Sequence, residues 1–371
     1  MAVRVKLGKL HCTVTEDSGY DTAYLTWDGV RIWRERMEEN WDKDVGVVKE
    51  ISRDARVELW DYDWPDEDDN LGGETIRTGL VGLGTQRARF TGDEADYFLE
   101  FEVIPVWDNV GNFPKTVDIV ADGDRLYQRH STGAIYQYTG DEHHPWEPRD
   151  NRQETADIVA DAGLLFQRHK SGAIYQYIAG SGGSWRPLPA GNFPGTKQIA
   201  TSDGRLYQRH DSGAIYQYTG DENHPWENLD NFPKTVDIVA DGDRLYQRHS
   251  TGAIYELVRS TPHTWRPLDN RPETADIVAD AGRLYQRHHS GAIYEYTGSG
   301  WRNLDNNPAV VEIATGDGLL YKRHFNGLIF GYTGSTWLLR DDNHRTAKVE
   351  TSGGHLYQMH DTGAIYRERP V

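Results

Sequence analysis

An all-β protein is what this sequence predicts: a seven-bladed propeller preceded by a smaller β-sandwich. Three observations carry that expectation. The phrase Leu-Tyr-Gln-Arg-His-x-x-Gly-Ala-Ile-Tyr recurs seven times, with small variations, centred on Tyr127, Phe166, Tyr207, Tyr246, Tyr285, Tyr321 and Tyr357. Steps of 39, 41, 39, 39, 36 and 36 residues separate these centres, and a period near forty with strand-like patterning marks a propeller or another solenoid. The composition agrees, because Gly 38, Trp 12 and Tyr 21 suit tight turns and aromatic packing.

Each repeat reads as four short strands. The first in sequence is Trp-x-x-Leu, as at Trp226 to Leu229, followed by an Asp-Asn-x-Pro-x-Thr turn, as at Asp230 to Thr235. An Asp-Ile-Val-Ala strand and a Gly-containing turn lead into Leu-Tyr-Gln-Arg-His. A three-residue loop ending in Gly133, or its counterpart in the other repeats, then turns the chain into Ala-Ile-Tyr. Glycine suits that place because a short hairpin needs one left-handed residue. Seven Trp open the units and the last unit stops at Tyr366 without another Trp strand. The count closes if the Trp107 strand pairs with the C-terminal strand. One blade cannot bury both of its faces, so neighbours supply the core. Domain boundaries follow at 1–104 for the sandwich and 105–371 for the propeller.

The recurring polar and aromatic residues are the candidate binding set: Trp107, Trp146, Trp185, Trp226, Trp265, Trp301 and Trp337; Arg129, Arg168, Arg209, Arg248, Arg287 and Arg323, with Met359 in the seventh place; and His130, His169, His210, His249, His288, His324 and His360. Strand alternation sends Leu, Gln and His to one face and Tyr and Arg to the other. Two roles fit. These groups form a satisfied hydrogen-bond network that fixes blade register, or they line shallow pockets for sugars. Aromatic rings suit a sugar's apolar C–H face, and Arg, His, Asp and Asn suit its hydroxyl rim. Seven weak sites on one rigid body would gain by multivalency. Asn112 to Tyr136 and Asn231 to Tyr255 are identical over 25 residues, which fits either recent duplication or pressure to keep equal sites. Histidines about forty residues apart in separate blades do not easily share one metal ion, and no local His-x₃₋₅-His spacing occurs among them.

Residues 107–371 resemble the tachylectin/tectonin-like group of β-propeller lectins through the Trp…Leu-Tyr-x-x-His…Gly-x-Ile-Tyr phrase. That resemblance implies carbohydrate binding at several sites per chain and no catalysis. The Ser-x-Asp-x-Gly-x-Thr-Trp box of sialidase propellers does not occur.

Residues 1–106 carry no copy of the repeat. Alternating runs at Ala23 to Trp27, Ala55 to Trp60 and Tyr97 to Val103 read as sandwich strands. Between them lies the densest acidic run, from Asp61 to Gly72, with a second acidic turn at Glu16 to Asp21. So many carboxylates in one loop repel unless a hard cation neutralises them, and Ca²⁺ prefers six to eight oxygens. This segment resembles a C2 domain, whose third calcium loop matches Asp61, Asp63, Asp69, Leu71 and Gly72 without a gap. The family's first loop is approximated by Asp17, Gly19, Asp21 and Tyr24, with one residue inserted and the Pro absent. The resemblance therefore implies a Ca²⁺ cofactor held by Asp17, Asp21, Asp61, Asp63 and Asp69. Trp64-Pro65 at the loop tip suggests membrane contact, although anionic lipid would repel so acidic a domain.

The net charge of −18 argues against a nucleic-acid partner. Acids outnumber bases 24 to 13 over residues 1–106, so the acidity concentrates there. Cys12 is the single cysteine, which rules out an intrachain disulfide. The first residues lack the apolar run of a secretory signal and nothing approaches a membrane span, so a cytoplasmic location or a non-Sec export route is expected. The leading expectation is a multivalent lectin that binds glycans or glycoconjugates, with no enzymatic activity. The alternatives are a protein-interaction scaffold with a structural Arg/His ladder, and a calcium-dependent membrane-recruitment module.

Overall fold

The computed structural model describes residues 2–180, 183–259 and 262–369. Every regular element among them is a β-strand apart from one short 3₁₀ turn at Thr78–Leu80, so the all-β expectation holds. No helix among the described residues is long and apolar enough to cross a membrane. The chain divides into two compact units. One gathers residues 1–108, 330–342 and 368–371; the other holds 109–329 and 343–367.

The first unit contains two sheets built from β1 (Val3–Val14), β2 (Asp21–Trp27), β3 (Val30–Met37), β4 (Asp42–Asp44), β5 (Val48–Ile51), β6 (Ala55–Asp61), β7 (Asp69–Ile76), β8 (Gln86–Phe90) and β9 (Asp96–Pro105). One sheet has the order β4-β1-β9-β8, with β5 also on β1; the other runs β3-β2-β6-β7. The three strands anticipated from alternation fall within β2, β6 and β9. Along β1, Val3, Val5 and Leu7 point inward. A register shift between Leu7 and Leu10 then resets the alternation, so that Leu10 and Cys12 also face the core. They meet Leu25, Val57 and Leu59 of the other sheet in one buried cluster. This is a sandwich core closed by the period-two pattern of its strands.

Beyond residue 106 the described residues form seven four-stranded sheets. Six are contiguous meanders, from Thr116–Asp122 through Trp337–Asp341. In the other, Trp107–Asn112 lies beside Ala364–Glu368, followed by His355–His360 and Thr346–Ser352. The first strand of the repeat region thus completes the last sheet, as the Trp count predicts. In meander order, each sheet begins with the strand that precedes Leu-Tyr-Gln-Arg-His or its variant, reading Thr-x-Asp from Thr116, Thr155, Thr235 and Thr274, and ends with its Trp strand. The first strands touch in cyclic order, and that of the last sheet returns to Thr116–Asp122.

A ring of hydrogen bonds joins the turns between first and second strands. The amides of Gly163, Gly204, Gly242, Gly282 and Gly318 donate to side chains of Asp122, Asp161, Ser202, Asp241 and Asp280. Gly354 donates to Asp317, and Gly123 closes the circle on Ser352. At the opposite end of the sheets, the loop glycines are left-handed, with Gly133 at φ 91°. A Cβ there would also come within 2.7 Å of the Arg152 carbonyl oxygen in the next repeat. Glycine is therefore required twice over, for the turn and for the close approach. Apolar packing runs between successive sheets, as where Tyr127 and Ile135 meet Ile158 and Leu165.

Candidate functional site

The repeated tryptophans sit in the seams between sheets. Each ring is half-buried, and those of Trp146, Trp185, Trp226, Trp301 and Trp337 pack on a tyrosine of their own sheet, for example Tyr138–Trp146 and Tyr218–Trp226, both at 5.3 Å. The indole N–H donates to a backbone carbonyl of the preceding sheet. Trp146 reaches Val110 at 2.7 Å, Trp185 reaches Arg149 at 2.8 Å, and Trp226 reaches Pro189 at 3.0 Å. Trp265, Trp301 and Trp107 make the same bond to Leu229, Leu268 and Arg340. Trp337 likewise packs on its own sheet's Tyr332, at 5.0 Å. At Trp107, Trp146, Trp185, Trp226, Trp265 and Trp301 the candidate sugar platform thus commits its polar atom to holding neighbouring sheets together.

The repeated histidines are buried, from His169 at 1 % exposure to His130 and His324 at 7 %. Six of the rings, those of His130, His169, His210, His249, His288 and His360, lie 4.4–4.7 Å from a tyrosine of the next strand. Phe193 and Phe232 stack on the outer faces of His210 and His249, at 4.2 and 4.5 Å. Burial pushes the imidazoles of His130, His169, His210, His249, His288 and His324 below their ordinary value, so they are neutral stacking partners at pH 7.

Beside each histidine runs a relay that sequence reading missed. The Thr116 hydroxyl donates to Gln128 Oε1 at 2.6 Å, and the same bond recurs at Thr155–Gln167, Thr196–Gln208, Thr235–Gln247, Thr274–Gln286 and Thr346–Gln358. Where the repeat's Asp-Asn turn carries the aspartate, at the end of the preceding sheet, the glutamine amide donates to it, as in Gln167–Asp150 at 2.6 Å, Gln247–Asp230 at 2.8 Å and Gln286–Asp269 at 2.7 Å. One repeat departs at both places. Lys322 replaces the glutamine and Val310 replaces the threonine, and Lys322 Nζ takes Asp305 at 2.5 Å. An ammonium has no acceptor to offer a hydroxyl, which accounts for the valine. Where Gly111 stands in place of the turn aspartate, Gln128 Nε2 is left without a partner.

The arginines occupy the other face and pair with the first strand of their own sheet. Arg287 meets Asp276 at 3.0 Å, Arg323 meets Glu312 at 2.5 Å, and Arg129 meets Asp118 at 3.5 Å. Arg168 and Arg248 stand 3.7 Å from Asp157 and Asp237, and Arg209 donates to Gln198 at 3.1 Å. Where Met359 replaces the arginine, Lys348 replaces the acid and reaches Asp118 at 2.6 Å in the adjoining sheet. Burial raises the carboxyls of Asp157, Asp237 and Asp276 and lowers the guanidiniums of Arg168 and Arg209. The mutual attraction of the pairs works against both shifts.

In the first unit, the five expected calcium ligands converge. Asp61 closes β6, Asp69 opens β7 opposite it, and Asp21 opens β2. Asp17, Asp61 and Asp63 bring carboxylate oxygens within 4.8 Å of one another, as do Glu16, Asp21 and Asp61, and Glu16, Asp69 and Asp93. Glu16 stood in the sequence only as the start of the second acidic turn, and Asp93 was not singled out. Asp21 is fully buried and accepts from the amides of Glu16 and Asp17, each at 3.1 Å, and from the Tyr97 hydroxyl at 2.5 Å. Burial and the neighbouring Asp21 and Asp63 push Asp61 up to about 6, and burial and Asp17 push Glu16 up to about 7. Asp63 Oδ2 is buried without a partner. Among the described residues, no lysine or arginine ion-pairs with any carboxylate of this cluster. An all-oxygen donor set with an orphaned buried oxygen fits a hard divalent cation.

Two clefts lie away from the repeated candidate set. One of about 350 Å³ lies between successive sheets, lined by Arg244, Tyr246, Glu256, Arg266 and Tyr296. Another of about 650 Å³ is lined by Glu227 to Phe232, Pro262 and His263.

No protein-family model matches this sequence, and no curated protein sequence does. Solved structures do match in fold. Prp20p from Saccharomyces cerevisiae is 9 % identical over 69 % of this chain and 83 % of its own, with a TM-score of 0.52. YCF48 from Cyanidioschyzon merolae is 16 % identical over 71 % of this chain and 98 % of its own, with a TM-score of 0.53. A chain of the Mitotic Checkpoint Complex is 11 % identical over 72 % of this chain and 94 % of its own, also at 0.53. These neighbours are β-propellers of RCC1 and WD40-like kinds, and at such identities the likeness is one of fold alone.

Proposed function

We propose that this chain is a protein-interaction scaffold: a seven-bladed propeller that binds polypeptide through its loop surfaces, carried with a C2-like sandwich that takes Ca²⁺. One observation supports this reading over repeated glycan pockets. The Trp and His of the repeat face neighbouring sheets, with indole donors on backbone carbonyls and imidazoles within aromatic stacks. What is left to vary at the surface is loops, where recognition on rigid scaffolds concentrates. The structural neighbours point the same way, since the Prp20p structure is described with binding to Gsp1p and histones.

Calcium is proposed on the carboxylate cluster. Glu16, Asp17, Asp21, Asp61, Asp63, Asp69 and Asp93 would share the ligand positions, and the ion would neutralise their repulsion and fix the β1–β2, β6–β7 and β8–β9 loops. Glycan binding is kept as a second reading because of the cleft at Arg244, Tyr246, Glu256, Arg266 and Tyr296, whose aromatic walls and polar rim suit a sugar.

Peptide and glycan arrays probed side by side with the full chain, with millimolar Ca²⁺ and with chelator, test the proposal. Binding to polypeptide with a blank glycan array is the expected result. Binding to one sugar class with a blank peptide array would return the function to a lectin.

A further inference from the structure

In a four-stranded meander, the first and third turns lie at one end, and the second turn and the exit loop lie at the other. In the repeat sheets these two ends carry opposite chemistry. At the first end, exposed Asp124, Asp141, Glu142, Asp203, Asp221 and Asp243 crowd the turns and outnumber the exposed Arg125, Arg244, Arg259 and Arg283. The second end exposes Lys115, Arg152, Lys170, Lys234, Arg271 and Arg345 against four carboxylates, Glu154, Asp211, Glu273 and Asp361. In a chain of net charge −18, this basic end runs against the composition.

Apolar rings share the basic end. Phe113, Phe193 and Phe232 occupy the same place in three repeats and are 38, 49 and 41 % exposed, and Phe325 is 72 % exposed. Phe193 and Phe232 are stacked flat on His210 and His249, so their outer faces are presented in fixed positions. The ladder arginines lean toward this end too, with Arg209 and Arg287 bonded to the His210 and His288 carbonyls at 3.2 and 3.3 Å.

We infer that the end bearing Phe113, Phe193 and Phe232 docks an acidic polypeptide segment that carries apolar side chains, its carboxylates meeting the surrounding lysines and arginines. The inference rests on the scaffold reading and adds to it the docking face and the chemistry of the partner. Charge complementarity selects the partner and speeds encounter, and exposed rings held rigid supply the apolar anchors.

Fluorescence anisotropy at low ionic strength tests this with the full chain and three labelled probes: an acidic peptide with interspersed Leu and Phe, its Lys-for-Glu counterpart, and oligothymidine. The acidic peptide is expected to bind. Lys115→Glu with Lys234→Glu and Arg271→Glu should weaken it by about tenfold or more, and Phe193→Ser with Phe232→Ser by a similar factor. Asp124→Lys with Asp243→Lys, at the other end, should leave binding undiminished. Circular dichroism of each variant separates lost binding from lost fold. No binding of the acidic peptide, or binding unchanged by the basic-end variants, overturns the inference. Preference for the basic peptide, lost in the Asp124/Asp243 variant, overturns the face and partner while leaving the scaffold reading intact. Binding of oligothymidine alone overturns the polypeptide partner. A glycan-array signal with no peptide bound overturns the scaffold reading itself.

Discussion

The Gly123 amide donates to the Ser352 hydroxyl at 2.8 Å, joining turns 229 residues apart. It is one of seven equivalent bonds around the turn ring, and the only one whose two residues lie at opposite ends of the repeat array. Gly353 lies beside it at φ 62°, where a Cβ would come within 2.5 Å of the Gly123 backbone. Ser352→Ala should therefore cost about 1 kcal/mol of unfolding free energy. Gly353→Ala should cost more, because about 1–3 kcal/mol of left-handed strain adds to a backbone clash. Urea denaturation of both variants checks the order.

The relay that varies between repeats gives a second expectation. Thr235→Val should strand Gln247, and Gln247→Lys should strand the Thr235 hydroxyl. The double variant reproduces the Val310 and Lys322 pair and keeps Asp230 as the partner of the new ammonium. A double-mutant cycle should show favourable coupling of about 1–2 kcal/mol. Additive losses would show that the two departures in the natural repeat are unrelated.

Acid should weaken the repeat sheets through the histidines. Their folded values lie below the ordinary one because burial disfavours the charged ring. The unfolded chain thus binds more protons below about pH 6.5, and stability present above that pH is lost as the pH falls. The raised carboxyls of Asp157, Asp237 and Asp276, and those of Glu16 and Asp61 in the first unit, act with the opposite sign. Unfolding free energy should fall between pH 7.5 and 5.5, and His210→Phe with His249→Phe should flatten the slope. A rise over the same interval would mean that the carboxyls dominate.

Calcium should raise the melting temperature of the full chain through the carboxylate cluster. Binding to the folded state alone stabilises by about 4 kcal/mol at a thousandfold excess over the dissociation constant. Asp61→Asn with Asp63→Asn should abolish the rise, and Glu16→Gln should reduce it. Absence of any rise in the parent protein, by scanning calorimetry, would remove calcium from the account.

Much of this was legible in the sequence. The recurrence of Trp, Gly and Leu-Tyr-Gln-Arg-His marks repeated sheets, and the Trp count marks the closing strand, because both are properties of spacing. Alternation also separated the His face from the Arg face correctly. The roles of those residues were not legible. A Trp N–H that bonds a backbone carbonyl leaves no side-chain partner to read, since any residue can supply the carbonyl. The partner of Gln167 is Asp150, in a turn that read as a chain reversal and as part of a sugar pocket's polar rim. In the sandwich, Asp61, Asp63 and Asp69 stand out as one run, whereas Glu16 and Asp93 join them only once three separate loops meet.

The central claim is that the repeated tryptophans fasten the sheets and are not free to receive a ligand. Hydrogen exchange of the indole N–H groups by ¹⁵N NMR tests it most directly, with Trp64, 83 % exposed, as an internal control. Slow exchange for Trp107, Trp146, Trp185, Trp226, Trp265 and Trp301, beside rapid exchange for Trp64, is the expected result. Exchange of those six as fast as Trp64 would contradict the seam bonds and restore the tryptophans as candidate ligand platforms.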